Sequence, residues 1–384
     1  MAIIVKPTGG QLSDNTPTDV SSVPANAGAG SLTSRDDHRH NGAGFATSDE
    51  VSPITDDIRI TIGAGITPGV APAGSANAVR FSPDGTAIAV GHGTTPFLSV
   101  YPWGSGAFGT KAVPASVPDS GAVGVEWHPD GDVVACSYIG GDQLSLYPWD
   151  GAALGTEIVP TSAPTGTPRR LAFSPDGAFL AIATQTSPYV HVYPWNGATL
   201  GTPITQDTSG LALDVAWSSD GAYIAVSHQV TPFVSVYPWT GSFGTKIADP
   251  ASLPPGQGSS VAFSADDSLI AVGGATNALS LYPWTGAFGT KVVPISGDEP
   301  PATVLGVKFS RSGSFLGTSG GGGTSLRAYP VTVGGKLASS VSPASPPAGG
   351  SNDCDFSPDG AYLAAAHSTT PFVSVYPGDR MIGF

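Results

Sequence analysis

One pattern constrains this chain more than any other: Val79-Arg80-Phe81-Ser82-Pro83-Asp84-Gly85-Thr86-Ala87-Ile88-Ala89-Val90, followed after a short turn by Phe97-Leu98-Ser99-Val100-Tyr101-Pro102-Trp103. It recurs to the end of the chain. Its aromatic anchor falls at Phe81, Trp127, Phe173, Trp217, Phe263, Phe309 and Phe356, with spacings of 46, 46, 44, 46, 46 and 47 residues. A Tyr-Pro pair keeps step at Tyr101, Tyr147, Tyr193, Tyr237, Tyr282, Tyr329 and Tyr376. Self-similarity at about 40–50 residues with several short strands per repeat is the signature of a β-propeller blade. The expected fold is therefore all-β, a seven-bladed propeller of four-stranded blades over residues 55–384.

Each repeat supplies its own punctuation. Ser-Pro-Asp-Gly joins the anchor strand to an apolar second strand, because Pro presets φ and Gly accepts a positive φ. The third strand ends at Tyr-Pro, where the ring nitrogen cannot extend a ladder. Second strands such as Leu180-Ala181-Ile182-Ala183 lack strict alternation, as expected of a sheet covered on both faces. A fourth strand is expected near Gly109-Thr110-Lys111, Gly155-Thr156-Glu157 and Gly244-Thr245-Lys246. The seventh repeat stops at Phe384, before a fourth strand has room to run. Residues 57–63, with their β-branched alternation, are predicted to supply it and close the ring.

Charged residues make up 11% of the chain and the formal net charge is −14, so no basic stripe exists for phosphate contacts and nucleic acid is not an expected partner. No apolar run reaches the ~18 residues of a bilayer span, and Met1–Pro7 lacks a signal-peptide core. Synthesis in the cytosol without membrane insertion is the expectation. Cys136 and Cys354 fall in non-neighbouring repeats and are expected to be buried free thiols.

Residues 1–54 stand outside the repeat and are too poor in apolar surface to build a core of their own. Order there requires docking on another chain. Within this arm, Ser34-Arg35-Asp36-Asp37-His38-Arg39-His40 follows a small-residue run. The segment resembles the Ser-Arg-x-Asp-His-x-His element of tail-fibre and other appendage proteins of tailed bacteriophages. That resemblance covers about 16 residues. It implies a homo-trimeric virion protein, assembled in the host cytoplasm, whose arm contacts other virion proteins. Three copies of His38 and His40 would offer six imidazoles to a transition metal at the three-fold axis. Capping a turn or touching a neighbouring virion protein is the plainer reading.

The repeats themselves resemble WD-repeat and lactonase-like propellers, with Tyr-Pro-Trp standing where a WD repeat has Trp-Asp. The architecture carries over; the WD structural tetrad does not. Uniform turns occupy one face of the disc, so binding is expected on the other, around the channel. Candidates there are Arg170, Asp214 and Asp353, three residues before their anchors, and His92, His228 and His367 at the ends of second strands. Repetition of the histidines also fits a recurring structural hydrogen bond. Likewise Trp103, Trp149, Trp195, Trp239 and Trp284 recur at one position, as packing residues do. A calcium-dependent lactonase needs several converging carboxylates, and only Asp214, Asp353 and nearby Asp355 are on offer. The chain is therefore expected not to be an enzyme. It reads as a virion structural protein meeting a host glycan or outer-membrane protein, with a purely architectural component and a lactonase-like enzyme as alternatives.

Overall fold

A computed structural model describes residues 61–275, 278–322 and 325–379. The arm, with His38 and His40, lies outside the described residues. The described residues contain strands and turns and no helix, so no helix is long and apolar enough to cross a membrane. Seven antiparallel sheets follow one another along the chain. The inner strands are Ala76–Phe81, Ala122–Trp127, Pro168–Phe173, Ala212–Trp217, Gly258–Phe263, Val304–Phe309 and Ser351–Phe356. Each packs on the next, and the last packs on the first, so the ring is closed.

Closure follows the predicted route. Thr61–Ile62 pairs antiparallel with Val373–Asp379, Ile62 opposite Gly378, and becomes the outer strand of the seventh sheet. Ile62 is buried between the sixth and seventh blades with Ala328, Phe356 and Tyr376. N- and C-terminal segments thus share a blade, which removes the open edge each would otherwise present.

The other outer strands are shorter than expected. Ile204–Gln206 forms a true fourth strand, whereas Ala112, Ile158, Val292 and Val341 each meet their third strand at one isolated bridge. Proline explains the contrast. Val113-Pro114, Val159-Pro160 and Val293-Pro294 place a residue without an N–H two positions past the bridge, while Gln206 is followed by no proline.

Seven apolar clusters fill the seven gaps between blades. In the first, Ala89, Leu98 and Val100 meet Val125, Val134 and Cys136. Cys136 and Cys354 are both buried and unbridged, and burial pushes the Cys354 thiol up to about 12. The repeated tryptophans are buried at the outer edge. Trp103 meets Phe108 edge-on at 4.9 Å and Trp284 meets Phe288 at 5.2 Å, the geometry that ring quadrupoles favour. The Tyr of each Tyr-Pro pair is equally sequestered. Tyr101, Tyr193, Tyr282 and Tyr329 donate their hydroxyls to the carbonyls of Val70, Ser162, Ser252 and Asp298 in the segments that enter each blade. A phenol at this position therefore pins the blade to its incoming loop.

At the opposite end, the Ser-Pro-Asp-Gly turns build themselves. Ser82 Oγ donates to Asp84 and accepts from the Ala87 amide, and Gly85 takes a φ of 73°. The same bonds recur at Ser174 and Asp176, Ser218 and Asp220, and Ser357 and Asp359. These turns mark one mouth of the central channel.

Candidate functional site

Seven inner strands run in the same direction along the channel, from a mouth at their N-terminal ends to the mouth ringed by the turns. Each one carries a β-bulge near its start. The register slips between Ala76 and Ala78, Ala122 and Gly124, Ala212 and Asp214, Gly258 and Ser260, Val304 and Gly306, and Ser351 and Asp353, and in the third blade it slips across Arg169 and Arg170. A bulge leaves one residue without a cross-strand partner and re-aims its side chain. The residues so released are Asn77, Val123, Arg169, Leu213, Ser259, Leu305 and Asn352, all half-buried. Together with Gln229 and Gln257 they line a cavity of about 380 Å³ at the first mouth.

One step along lie Asp214, Asp353 and Arg170, which the sequence suggested for binding. Asp214 and Asp353 are buried, 8% and 2% exposed, and they stitch blades together. An inner strand is a sheet edge, so its channel-facing N–H groups have no ladder partner and need one. Asp353 accepts from the Val79 amide of the next blade at 3.3 Å, and Asp214 accepts from Val261 at 3.1 Å and from the Ser260 hydroxyl at 2.7 Å. Ser260 accepts in turn from Val307. Arg170 belongs to this layer as well, and it also lines the bulge-mouth cavity. Its Nη1 reaches from the third blade to Asp353 of the seventh at 2.5 Å, and its Nη2 donates to the Asn352 carbonyl. Arg80 Nη1 meets the same Asp353 oxygen at 2.6 Å. Burial alone would raise the Asp353 carboxyl, but the guanidiniums of Arg170 and Arg80 hold it below the usual carboxylate range. The channel is thus crossed by an ion-paired bar beneath the bulge mouth.

His92, His228 and His367 are buried too. They are at most 1% exposed and lie inside their blades, not on a binding face. Their Nε2 atoms hydrogen-bond Ser99, Ser235 and Ser374 at 2.9, 3.0 and 3.0 Å. Tyr138 does the same job with Ser145 in the second blade. Burial pushes the His92 imidazole down to about 4 and lowers the other two.

At the turn mouth, sequence reasoning noted Asp355 but missed its neighbours. The position just before each anchor reads Lys308, Asp355, Arg80 and Glu126 in the sixth, seventh, first and second blades, and Ala172, Ala216 and Ala262 in the third, fourth and fifth. Charge fills one half of the ring and methyl groups the other. Arg80 Nε pairs with Glu126 at 3.1 Å, and Lys308 approaches the same carboxylate at 3.9 Å. Asp355 accepts from the Phe81 amide at 2.8 Å. Enclosure by the channel walls pushes its carboxyl up to about 6 despite Arg80 and Lys308. On the alanine side the channel widens into a cavity of about 390 Å³ that Glu126, Lys308, Arg311 and Asp355 also line. Such an arrangement offers a carboxyl that titrates near neutrality beside an ammonium group, components of acid–base chemistry. Among the described residues, no group of three or more His, Cys, Asp or Glu side chains is placed to hold a metal ion.

Residues 107–209 match the family model described as "Lactonase, 7-bladed beta-propeller". No curated protein matches the chain. The match covers the end of the first blade and the whole of the second and third, and it accords with the seven-bladed ring. It also overturns the expectation that the chain is not an enzyme, because the similarity is to an enzyme family. What the chain shows, then, is a seven-bladed β-propeller, of which residues 107–209 are similar to the lactonase family model.

Proposed function

We propose that this protein is a subunit of a bacteriophage appendage whose propeller recognises a polar ligand on the host surface through the bulge mouth. The observation that carries the proposal is the convergence of seven bulged positions on one cavity, with Asn77, Asn352, Gln229, Gln257 and Arg169 around it. Carboxamides and a guanidinium, interleaved with the apolar Val123, Leu213 and Leu305, suit the hydroxyls and ring faces of a glycan. The Ser34–His40 segment supports the virion setting, with residues 1–54 holding the particle and His38 and His40 gathering on a trimer axis.

Two measurements test this reading. Binding of the full-length chain to an array of bacterial surface glycans is expected, and Arg169→Ala is expected to weaken it about tenfold or more. Absence of binding, or binding indifferent to Arg169, overturns it. Mass in solution, with and without residues 1–54 and with and without chelator, tests the arm. A trimer that needs the arm and dissolves in chelator supports the assembly role; a monomer in every condition contradicts the trimer.

A second reading is favoured by the family match and by Asp355: hydrolysis of a lactone or ester in the channel. It is compatible with the first, since an appendage that cleaves a surface ester still attaches. Acid release from δ-gluconolactone, followed in a pH-stat, is its test. Activity lost in Asp355→Asn supports it, and no release above the buffer rate counts against it for this substrate.

A further inference from the structure

The two mouths differ in a way the receptor proposal does not use. At the turn mouth, alanine replaces a long side chain in three consecutive blades, and a cavity of about 390 Å³ opens where those side chains are missing. Aromatic anchors Phe173, Trp217 and Phe263 form its apolar wall, with Ala172, Ala216 and Ala262 in front of them. Across the channel the charges are unequal in their freedom. The Glu126 carboxylate is bound by Arg80 at 3.1 Å and accepts from the Trp127 amide at 3.2 Å. Lys308 stands 3.9 Å from Glu126 and is the more exposed of the two, 30% against 18%. Arg311 reaches the rim with Nη1 donating to the Pro83 carbonyl at 3.3 Å.

We propose that the turn-mouth cavity binds a small organic anion with an apolar body, its carboxylate toward Lys308 and Arg311 and its body against Ala172, Ala216 and Ala262. An apolar body removes the alanine and aromatic wall from water, at about 25 cal/mol per Å² covered. The carboxylate meets an ammonium in a recess that water screens only in part. A cation meets carboxylates that are already engaged, Glu126 by Arg80 and Asp355 by the Phe81 amide. Asp355 faces the same space, with Arg80, Lys308, Glu126 and Arg311 the charged groups around it. Its ionised form opposes an incoming anion, so protonation strengthens binding as pH falls through about 6. The site is separate from the bulge mouth, so its failure leaves the receptor reading standing.

Calorimetric titration of the full-length chain with benzoate, benzamide and benzylamine tests the proposal. Benzoate is expected to bind at least about tenfold more tightly than benzamide, with benzylamine weaker still, and more tightly at about pH 5 than at about pH 7.5. Lys308→Gln and Ala216→Leu, the second filling the apolar half, are each expected to weaken benzoate about tenfold, while Arg169→Ala at the far mouth leaves it within about twofold. Circular dichroism verifies the fold of each variant, and Lys308→Gln carries the test alone if Ala216→Leu misfolds. Equal binding of benzylamine and benzoate overturns the proposal. So does loss in Arg169→Ala without loss in Lys308→Gln, or no benzoate binding at tens of millimolar.

Discussion

The bulge mouth and the turn mouth are built from the same seven strands, yet only one of them is free to vary. At the bulge mouth the register slip removes each side chain from the cross-strand pairing, so Asn, Val, Arg, Leu and Ser all occur at one equivalent position. Packing and recognition are only partly decoupled there, because Asn77 Nδ2 donates to the Ala122 carbonyl and Asn352 Nδ2 to the Ala76 carbonyl of the next blade, at 2.8 and 2.7 Å. At the turn mouth the equivalent residues stay in register, Arg80 opposite Ala89 and Glu126 opposite Ala135, and their charges are tied to the ion-paired bar below the bulges. Substitution of Arg169 should therefore alter binding with little effect on the ring, whereas substitution of the turn-mouth charges should alter both binding and stability.

The largest effect is expected where the bar is cut. Asp353→Ala leaves Arg80 and Arg170 buried without their shared carboxylate and is expected to cost about 3–5 kcal/mol in denaturant unfolding. A loss below about 1 kcal/mol would dissolve the distinction between bar and mouth. Acid comes next. His92 is held near 4 in the folded chain against 6.5 when exposed, so the unfolded state takes up the proton first as pH falls. Stability is expected to decline from about pH 6.5 to about 4, by roughly 3 kcal/mol for His92, with His228 and His367 adding in the same direction. His92→Gln, which cannot charge, is expected to flatten part of that slope in thermal melts recorded across the window.

Asp355 works with the opposite sign. Its carboxyl is raised to about 6 from 3.8, so the charged form strains the fold at neutral pH and the strain fades as pH falls below about 6. Asp355→Asn keeps an acceptor for the Phe81 amide and is expected to stabilise by about 1–2 kcal/mol at pH 8, a gain that disappears near pH 4. A destabilised variant at pH 8 would mean that Arg80 and Lys308 depend on this carboxylate. The smallest effect belongs to the bulge mouth. Arg169→Ala is expected to shift stability by no more than about 0.5 kcal/mol while removing glycan binding, and a larger loss would show that bulged residues also hold the ring together.

Much of the ring was legible because the aromatic anchor and the Tyr-Pro pair were repeated seven times. The anchor spacing implied the blades, and the missing fourth strand after Tyr376 implied that residues near Thr61 must supply it. The site was less legible. Asp214 and Asp353 stood out as polar residues on inner strands, but nothing in the sequence shows that a neighbouring blade's N–H lies opposite them. His92, His228 and His367 were visible as a recurrence, and the recurrence was structural, matched by Ser99, Ser235 and Ser374 seven residues on. The turn-mouth charges had a readable signal that column-by-column comparison would have found: four charged residues in consecutive blades and three alanines in the rest. The bulges had a partial signal, since Gly124 and Gly306 stand directly after Val123 and Leu305 inside their strands, while no glycine or proline adjoins Asn77.

The measurement that tests the contrast between the mouths most directly is a crystal structure of the full-length chain soaked with benzoate. The account predicts density in the turn-mouth cavity, the ring against Ala216 and the carboxylate toward Lys308, with the bulge mouth empty of it. Density beside Arg169 at the bulge mouth, or a carboxylate turned toward the alanines, would contradict it.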